Sequence, residues 1–209
     1  MHRFLKADDH TVVRRGLKQI LLEAFPSAII EEVTDAESLL KKVFAQSWDV
    51  VISDISMPGR SGLEVLQQIK QQYPKLPVLI LSVYPEEQYA LRVLKAGASG
   101  YLNKDSAPEQ LVAAVNRVML GKKYITPTIA EKLANSLDHD LNKLSHEYLS
   151  DREFEVLKLI AGGQAVSDIA SKLSLSVTTI STYRSRIMSK MGLKSNAELI
   201  FYAIENKLV

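Results

Sequence analysis

Four apolar runs in this chain each stop at a side chain able to do ionic chemistry. Phe4-Leu5-Lys6-Ala7 runs into Asp8-Asp9-His10, and Val50-Val51-Ile52-Ser53 into Asp54. Val78-Leu79-Ile80-Leu81 ends at Ser82, and Gly100-Tyr101-Leu102-Asn103 at Lys104. Short β-branched or aliphatic runs of this kind read as strands buried on both faces of a parallel sheet. The carboxyl ends of such strands are where open α/β sheets hold their ligands. One aspartate there could do no more than cap the next turn. Three carboxylates, a hydroxyl and an ammonium at one edge are a different matter. The acids repel one another unless a hard divalent cation lies among them, and oxygen donors with places left for water suit Mg²⁺. A carboxylate beside such an ion can attack phosphorus and form an aspartyl-phosphate. The ion, the Lys104 ammonium and the Ser82 hydroxyl would then neutralise the new phosphoryl oxygens. Without those partners Asp54 would be only a metal ligand.

The stretches between these runs have the periodicity of helices. A helix is predicted from Thr11 to Ala24, with Val12, Leu17, Ile20 and Leu21 on or near one face, broken by Pro26 and Ser27. A further strand is expected at Ala28-Ile29-Ile30, then a helix capped by Asp35 and carrying Leu39, Leu40 and Val43. Helices follow from Gly62 to Tyr73, from Glu86 to Ala96 with Gly97 closing it, and from Pro108 to about Leu120. Five strands alternating with five helices predict an α/β doubly wound parallel five-stranded sheet. Three nearby residues stand out. Lys6 places an ammonium on a doubly covered strand, where it must reach water, pair with an acid or alter the pocket. His10 beside the acids reads as a helix-start residue shaping the pocket rather than as a ligand. Tyr84 reads as an exposed loop tyrosine, with shielding of a phosphoryl group the alternative.

Taken in order over residues 3–120, these residues resemble a response-regulator receiver domain, a flavodoxin-like fold. The resemblance is carried by Asp8-Asp9, Asp54-Ile55-Ser56-Met57-Pro58-Gly59, Leu81-Ser82, Gly97-Ala98-Ser99-Gly100-Tyr101 and Lys104. It implies Asp54 as phospho-acceptor, with Asp8 and Asp9 as the acidic Mg²⁺ pair and the Ser56 backbone carbonyl completing the protein ligands. It implies Ser82 as the switch hydroxyl, Tyr101 as the switch aromatic and Lys104 as the phosphate-binding lysine. The mechanism it implies is a population shift in which Ser82 and its loop move inward and Tyr101 packs into the vacated space.

From Gly121 to about Tyr148 the character changes to a connector, with one helix from Thr128 to Leu137 and then polar Asp138-His139-Asp140. The expected division is a receiver at 1–120, a linker at 121–147 and a second domain at 148–209. Ser150 with Glu153 fits a capping box opening a helix that stops at Gly162-Gly163. Helices from Val166 to Leu173, Val177 to Met191 and Ala197 to Asn206 make a small all-α helix-turn-helix unit. Net charge is only +2, yet residues 171–195 hold five basic residues and no acid. That local block, not the whole-chain charge, favours nucleic acid.

Leu149-Ser150-Asp151-Arg152-Glu153, Glu155-Val156-Leu157, Ile169-Ala170, Leu173 and the stretch from Thr178 to Gly192 resemble the DNA-binding domain of NarL/FixJ (LuxR-type) regulators. Arg152, Glu153 and Glu155 are expected to fix helix packing through charged pairs. Ile180, Ile187 and Met191 form an inward stripe. Hydroxyl side chains with arginine suit the major groove. By position, Ser181, Thr182 and Ser185 are base-edge candidates, with Arg186 beside them. Lys172, Thr178, Thr179, Lys190 and Lys194 are phosphate-contact candidates. Tyr183 stands where many relatives carry histidine, its ring available to pack and its hydroxyl to reach a phosphate. The last helix offers Leu199, Ile200, Ala203 and Ile204 either to its own core or to a symmetric dimer.

The reading is a two-component response regulator and transcription factor, not an enzyme beyond its own phosphoryl transfer. Its expected partners are a cognate sensor histidine kinase, double-stranded DNA with a palindromic operator, and a second copy on activation, with no membrane. The chain has no cysteine, which excludes disulfides and thiolate chemistry. No apolar run approaches a membrane span and no signal-peptide pattern opens the chain, so a cytoplasmic location is expected. Two alternatives remain: a phosphorylation-independent regulator whose receiver serves dimerisation or partner binding, and a haloacid-dehalogenase-type phosphatase. The phosphatase fits poorly because Asp54 is followed by Ile55 and Ser56, without the second aspartate two residues on.

Overall fold

Alternation of buried runs with amphipathic stretches produces the predicted sheet. The computed structural model describes residues 1–57, 60–138 and 145–209, which fall into two compact units, Met1–Asn135 and Ser136–Val209. In the first unit β1 (Arg3–Ala7), α1 (Thr11–Ala24), β2 (Ile29–Val33), α2 (Ala36–Ala45) and β3 (Val50–Asp54) are followed by α3 (Gly62–Gln72), β4 (Val78–Ser82), α4 (Glu86–Lys95), β5 (Gly100–Asn103) and α5 (Ala107–Met119). The sheet is parallel with strand order β2-β1-β3-β4-β5. The order reverses between β1 and β3, and a crevice at the carboxyl ends is expected there. Strands β3 and β4 are buried along their whole length, as continuous apolar runs require when helices cover both faces. Phe4, Val50, Ile52, Leu79 and Leu81 pack there with Leu17 and Leu21 of α1 and with Leu111, Val115 and Val118 of α5.

Two sequence expectations are corrected. Strand β2 runs beyond Ile30 to Val33 because Glu31 and Glu32, which interrupt the apolar pattern, find lysines on neighbouring helices. Glu31 pairs with Lys42 of α2, and Glu32 with Lys18 of α1 at 2.7 Å. Charge on an edge strand also discourages pairing with another chain. Val12, expected on or near the inner face of α1, is 84% exposed, while Leu17 and Leu21 carry that face inward.

Past α5, residues 122–129 of the expected connector belong to the first unit and pack on it through specific contacts. Tyr124 forms a parallel bridge with Gly100, and its amide donates to the Ser99 carbonyl at 2.8 Å. The Thr126 hydroxyl donates to both carboxylate oxygens of Glu86, at 3.0 and 2.9 Å, and Ile129 is buried. Helix α6 (Pro127–Asp138) follows. His139 and Asp140, assigned to the connector from sequence, lie outside the described residues, as do Pro58 and Gly59.

In the second unit a 3-10 turn (Ser145–Tyr148) precedes α7 (Asp151–Ala161), α8 (Val166–Lys172), α9 (Val177–Met191) and α10 (Asn196–Glu205). Both halves of the Ser150–Glu153 capping box form. The α8–α9 turn passes through Ser174 at φ +54°, and Ser176 then caps α9 by accepting the Thr179 amide at 3.0 Å. Gly192, at φ +68°, ends α9 in the left-handed conformation that glycine adopts without strain.

Candidate functional site

The parallel register sets the strand ends level. Ala7 lies beside Ser53, Asp54 beside Leu81, and Ser82 beside Asn103. Residues one step past or at these ends therefore converge: Asp8, Asp54, Ser82 and Lys104. Asp54 is 2% exposed, and Asp8 and Ser82 are fully buried. The Lys104 ammonium joins the two acids, lying 2.5 Å from Asp54 Oδ2 and 2.9 Å from Asp8 Oδ2. Asp54 Oδ1 accepts the Ser56 amide at 3.0 Å, so its carboxylate is oriented through both oxygens.

Burial pushes the Asp54 carboxyl up, against the pull of Lys104. Burial draws Lys104 down, but Asp54 and Asp8 together more than offset it, and the lysine is held above its ordinary value. Asp9 lies at the exposed mouth. One ligand atom from each of Asp8, Asp9, His10 and Asp54 lies within 4.8 Å of the others. A cluster of three carboxylates and one imidazole fits a divalent cation. From the sequence His10 is a helix-start residue. It does take the N-cap position of α1, but its side chain makes no capping bond. Its Nδ1 instead lies 2.7 Å from Asp9 Oδ1 and 3.3 Å from Asp8 Oδ1.

Lys6 is fully buried. Its Nζ donates to the Val13 and Arg14 carbonyls of α1, both at 2.9 Å. The lysine that raised the question of an altered pocket is thus satisfied by helix backbone. Burial pulls its pKa down to about 8, with Asp8 and Glu32 acting in the opposite sense.

Ser82 and Tyr101 meet through the backbone of one residue, Tyr84. Ser82 Oγ accepts the Tyr84 amide at 3.0 Å, and the Tyr101 hydroxyl donates to the Tyr84 carbonyl at 2.7 Å. Tyr101 is fully buried in this structure, and burial raises its pKa. The Tyr84 ring, expected to be exposed, is half-buried and stacks on Tyr89 with centroids 4.8 Å apart. Position in the β4–α4 connection had suggested a surface loop, with shielding of a phosphoryl group the alternative. The aromatic at position 89, one helical turn on, was the available signal.

Gly62 was seen in the sequence only as a helix start. A Cβ there would come within 2.7 Å of both the Asp54 carbonyl oxygen and the Ile55 Cα, so α3 begins against the backbone that carries Asp54. Distance along the chain hid this close approach.

In the second unit, Ile180 and Ile187 point α9 into the core. Ser181, Thr182, Ser185 and Arg186 are exposed with Lys172, Thr178, Lys190 and Lys194, and Thr179 and Tyr183 are half-buried. Thr178, Thr179, Thr182, Tyr183 and Arg186 line one recess of about 270 Å³ at the start of α9. Thr182 Oγ1 donates to the Thr178 carbonyl at 2.9 Å, which leaves its oxygen free to accept and its methyl free for an apolar contact. Arg152 pairs with Glu155 at 2.7 Å, and Lys190 with Glu153 at 2.6 Å. Lys190 thus holds α9 to α7 as well as lying on the exposed side. Burial raises the Glu153 carboxyl, but Lys190 and the capping bonds from Ser150 bring it below its ordinary value. In α10, Leu199 and Ala203 are buried while Phe201 and Ile204 are exposed.

Comparison with known proteins covers both units. The family described as response regulator receiver domain matches residues 4–116, and that described as bacterial regulatory proteins, luxR family, matches residues 147–203. The oxygen regulatory protein NreC of Staphylococcus carnosus is 39% identical over 210 residues, covering 97% of each chain. The response regulator GacA of Pseudomonas viridiflava is 35% identical, covering 100% of this chain and 98% of its own. RcsB from Salmonella enterica serovar Typhimurium, solved bound to promoter rprA with the phosphomimetic BeF₃⁻, is similar with a TM-score of 0.64 and 28% identity, covering 97% of this chain and 98% of its own. Response regulator ChrA of a heme-sensing two-component system is 32% identical, with a TM-score of 0.51 and coverage of 99% and 98%.

Proposed function

The chain belongs to the LuxR-type response regulators, DNA-binding transcription regulators that join a receiver to a helix-turn-helix domain, and on that premise we propose that phosphorylation of Asp54 by a sensor histidine kinase controls its dimerisation and its binding to an operator. The observation that carries this is the placement of a buried carboxylate with Lys104 at 2.5 Å and two further acids, buried Asp8 and exposed Asp9, beside it.

A free oxygen lone pair of Asp54 attacks the phosphorus of a phosphorylated histidine. The new O–P bond forms as the P–N bond breaks, and the nitrogen leaves with its electron pair. Lys104 holds the carboxylate in place beforehand and afterwards has a phosphoryl oxygen as partner. Asp8, Asp9, Asp54 and the Ser56 carbonyl would hold Mg²⁺, which when bound supplies the positive charge that lets a carboxylate approach a phosphate. Ser82, one strand over, offers its hydroxyl to the same phosphoryl group. Because Ser82 and Tyr101 both hold the backbone of Tyr84, one at its amide and the other at its carbonyl, a shift of one is felt by the other. A change at Asp54 thereby reaches the β4–α4 connection and β5.

In the output domain, Ser181, Thr182, Ser185 and Arg186 read base edges. Lys172, Thr178, Thr179, Tyr183, Lys190 and Lys194 contact phosphates. A symmetric dimer matches a palindromic operator, and RcsB, solved with DNA as two dimers, offers the precedent. Lys6, whose ammonium could have altered the pocket, is directed to α1, which favours this reading over the phosphorylation-independent one.

The test is intact mass after incubation with Mg²⁺ and acetyl phosphate, with light scattering for dimer formation. Wild type is expected to gain one phosphoryl group and dimerise, and Asp54→Ala to do neither while keeping basal DNA binding. Folded wild type that binds DNA but takes up no phosphoryl group would overturn the proposal.

A further inference from the structure

The end of the sheet opposite the acidic edge holds a cavity of about 700 Å³. It opens where β1, β3 and β4 begin and where α2, α3 and α5 end. Its body is apolar, lined by Val43, Trp48, Leu76, Pro77, Val118 and Met119. Volume and lining are those of a small-molecule site, which buries an apolar body and orients it with a few polar groups. Here the polar groups favour positive charge. Asp49 lies in the wall, half-exposed, and its Oδ2 is held in place by the Arg3 amide at 2.7 Å. Gln46, Tyr73 and Met119, which end or cap the three helices, share that wall, so three negative helix ends gather there. The chain's own cations already turn to this end. Lys70 Nζ donates to the Pro74 and Leu76 carbonyls at 3.4 and 2.5 Å, and the Arg3 guanidinium lies 5.1 Å from the centre of the Trp48 ring. The basic side chains among the lining residues are His2, with Nδ1 3.9 Å from Asp49 Oδ2, and Lys75, which is exposed and reaches water.

We propose that this cavity binds a small organic cation with an aromatic or aliphatic body, its ammonium beside Asp49 and its body against Trp48, Leu76 and Met119. An ammonium at the open mouth keeps part of its hydration, so the site does not bear the cost of a fully buried charge. The carboxylate is fixed before the ligand arrives, whereas the opposing Lys75 can turn away. Strands β3 and β4 run from this cavity to Asp54 and Ser82, so the site lies a full strand length from the acidic edge and is independent of the function proposed there.

The experiment is titration of the full chain with phenethylammonium, phenethyl alcohol and hydrocinnamate, which share a body and differ in charge. Fluorescence of Trp48, the only tryptophan in the sequence, follows binding, and NMR shift mapping locates the probe. Wild type is expected to bind phenethylammonium most tightly of the three, with shifts at the Trp48 indole and the Gly121 amide and none at Asp9 or Lys104. Asp49→Asn keeps an oxygen for the Arg3 amide and should lower phenethylammonium affinity about fivefold, the weight of one ion pair in water, with phenethyl alcohol unaffected. Lys75→Gln should not lower it. Equal affinity for the three probes, or equal phenethylammonium affinity in wild type and Asp49→Asn, would overturn the preference for a cation and the proposal with it. Shifts confined to Asp9 and Lys104 would put the probe in the acidic pocket and overturn the cavity site, as would no binding of any probe.

Discussion

Lys6 shows how a single residue can break a local rule without breaking the site. Its ammonium is buried between β1 and α1 and titrates near 8. The unfolded lysine titrates near 10.5, so between these values the unfolded chain binds more protons and stability rises with pH. Below about pH 8 the penalty of burying the charge is fully present. Lys6→Met keeps the length of the side chain and removes that penalty. It is therefore expected to raise stability at pH 7 by about 1 kcal/mol. The difference should vanish towards pH 10.5, as followed by chemical denaturation across the range. Lys158, held near the same value by burial in α7, belongs to the second unit and should titrate unchanged in the variant. Phosphoryl uptake should survive, because Nζ bonds to helix carbonyls and not to the acidic edge.

Among elements, the start of α3 and the segment after α5 bear most directly on the proposed switch. Gly62→Ala would drive a methyl into the Asp54 and Ile55 backbone, where no flexible side chain can give way. It should cost about 2 kcal/mol or more and slow phosphoryl uptake. Gly16 in the middle of α1 has nothing within 4 Å of an added Cβ. Gly16→Ala should therefore stabilise by roughly 0.5–1 kcal/mol and leave uptake alone. The two variants, compared by denaturation and by phosphoryl uptake, separate close approach from helix propensity. Thr126→Val removes both hydrogen bonds to Glu86, in the first turn of α4 and a few residues from Ser82. Faster hydrogen exchange at the Tyr124 and Ile129 amides is expected, with the β3 amides unaffected.

At the scale of the whole molecule, an acidic pocket and a cationic helix share one chain of nearly neutral net charge. Charge is local, so the two ends of the signal make separate predictions. Lys172→Ala should weaken binding to every DNA sequence alike and lower the salt slope by about one unit. Arg186→Ala should cost about 1–3 kcal/mol on the operator and less on unrelated DNA. Lys190→Ala should behave as a phosphate contact and also destabilise the second unit, because it leaves buried Glu153 without its ammonium. Titrating each variant on operator and random duplex across salt concentrations distinguishes the three.

The sheet, its five strands and the capping box were legible in the sequence because burial period and cap chemistry act over a few residues. The ordered set of Asp8, Asp9, Asp54, Ser82 and Lys104 was legible too, because parallel strands bring their carboxyl ends to one edge wherever they lie in the chain. Other features depended on distances between residues remote in sequence or on ring orientation. Tertiary packing alone decided that Lys6 turns to α1, that His10 faces the acids instead of capping, and that Lys190 is shared with Glu153. It also decided that residues 122–129 close on Glu86 and Gly100. Each of these is a choice among partners that local pattern leaves equally open, and only the packed chain makes one of them the nearest.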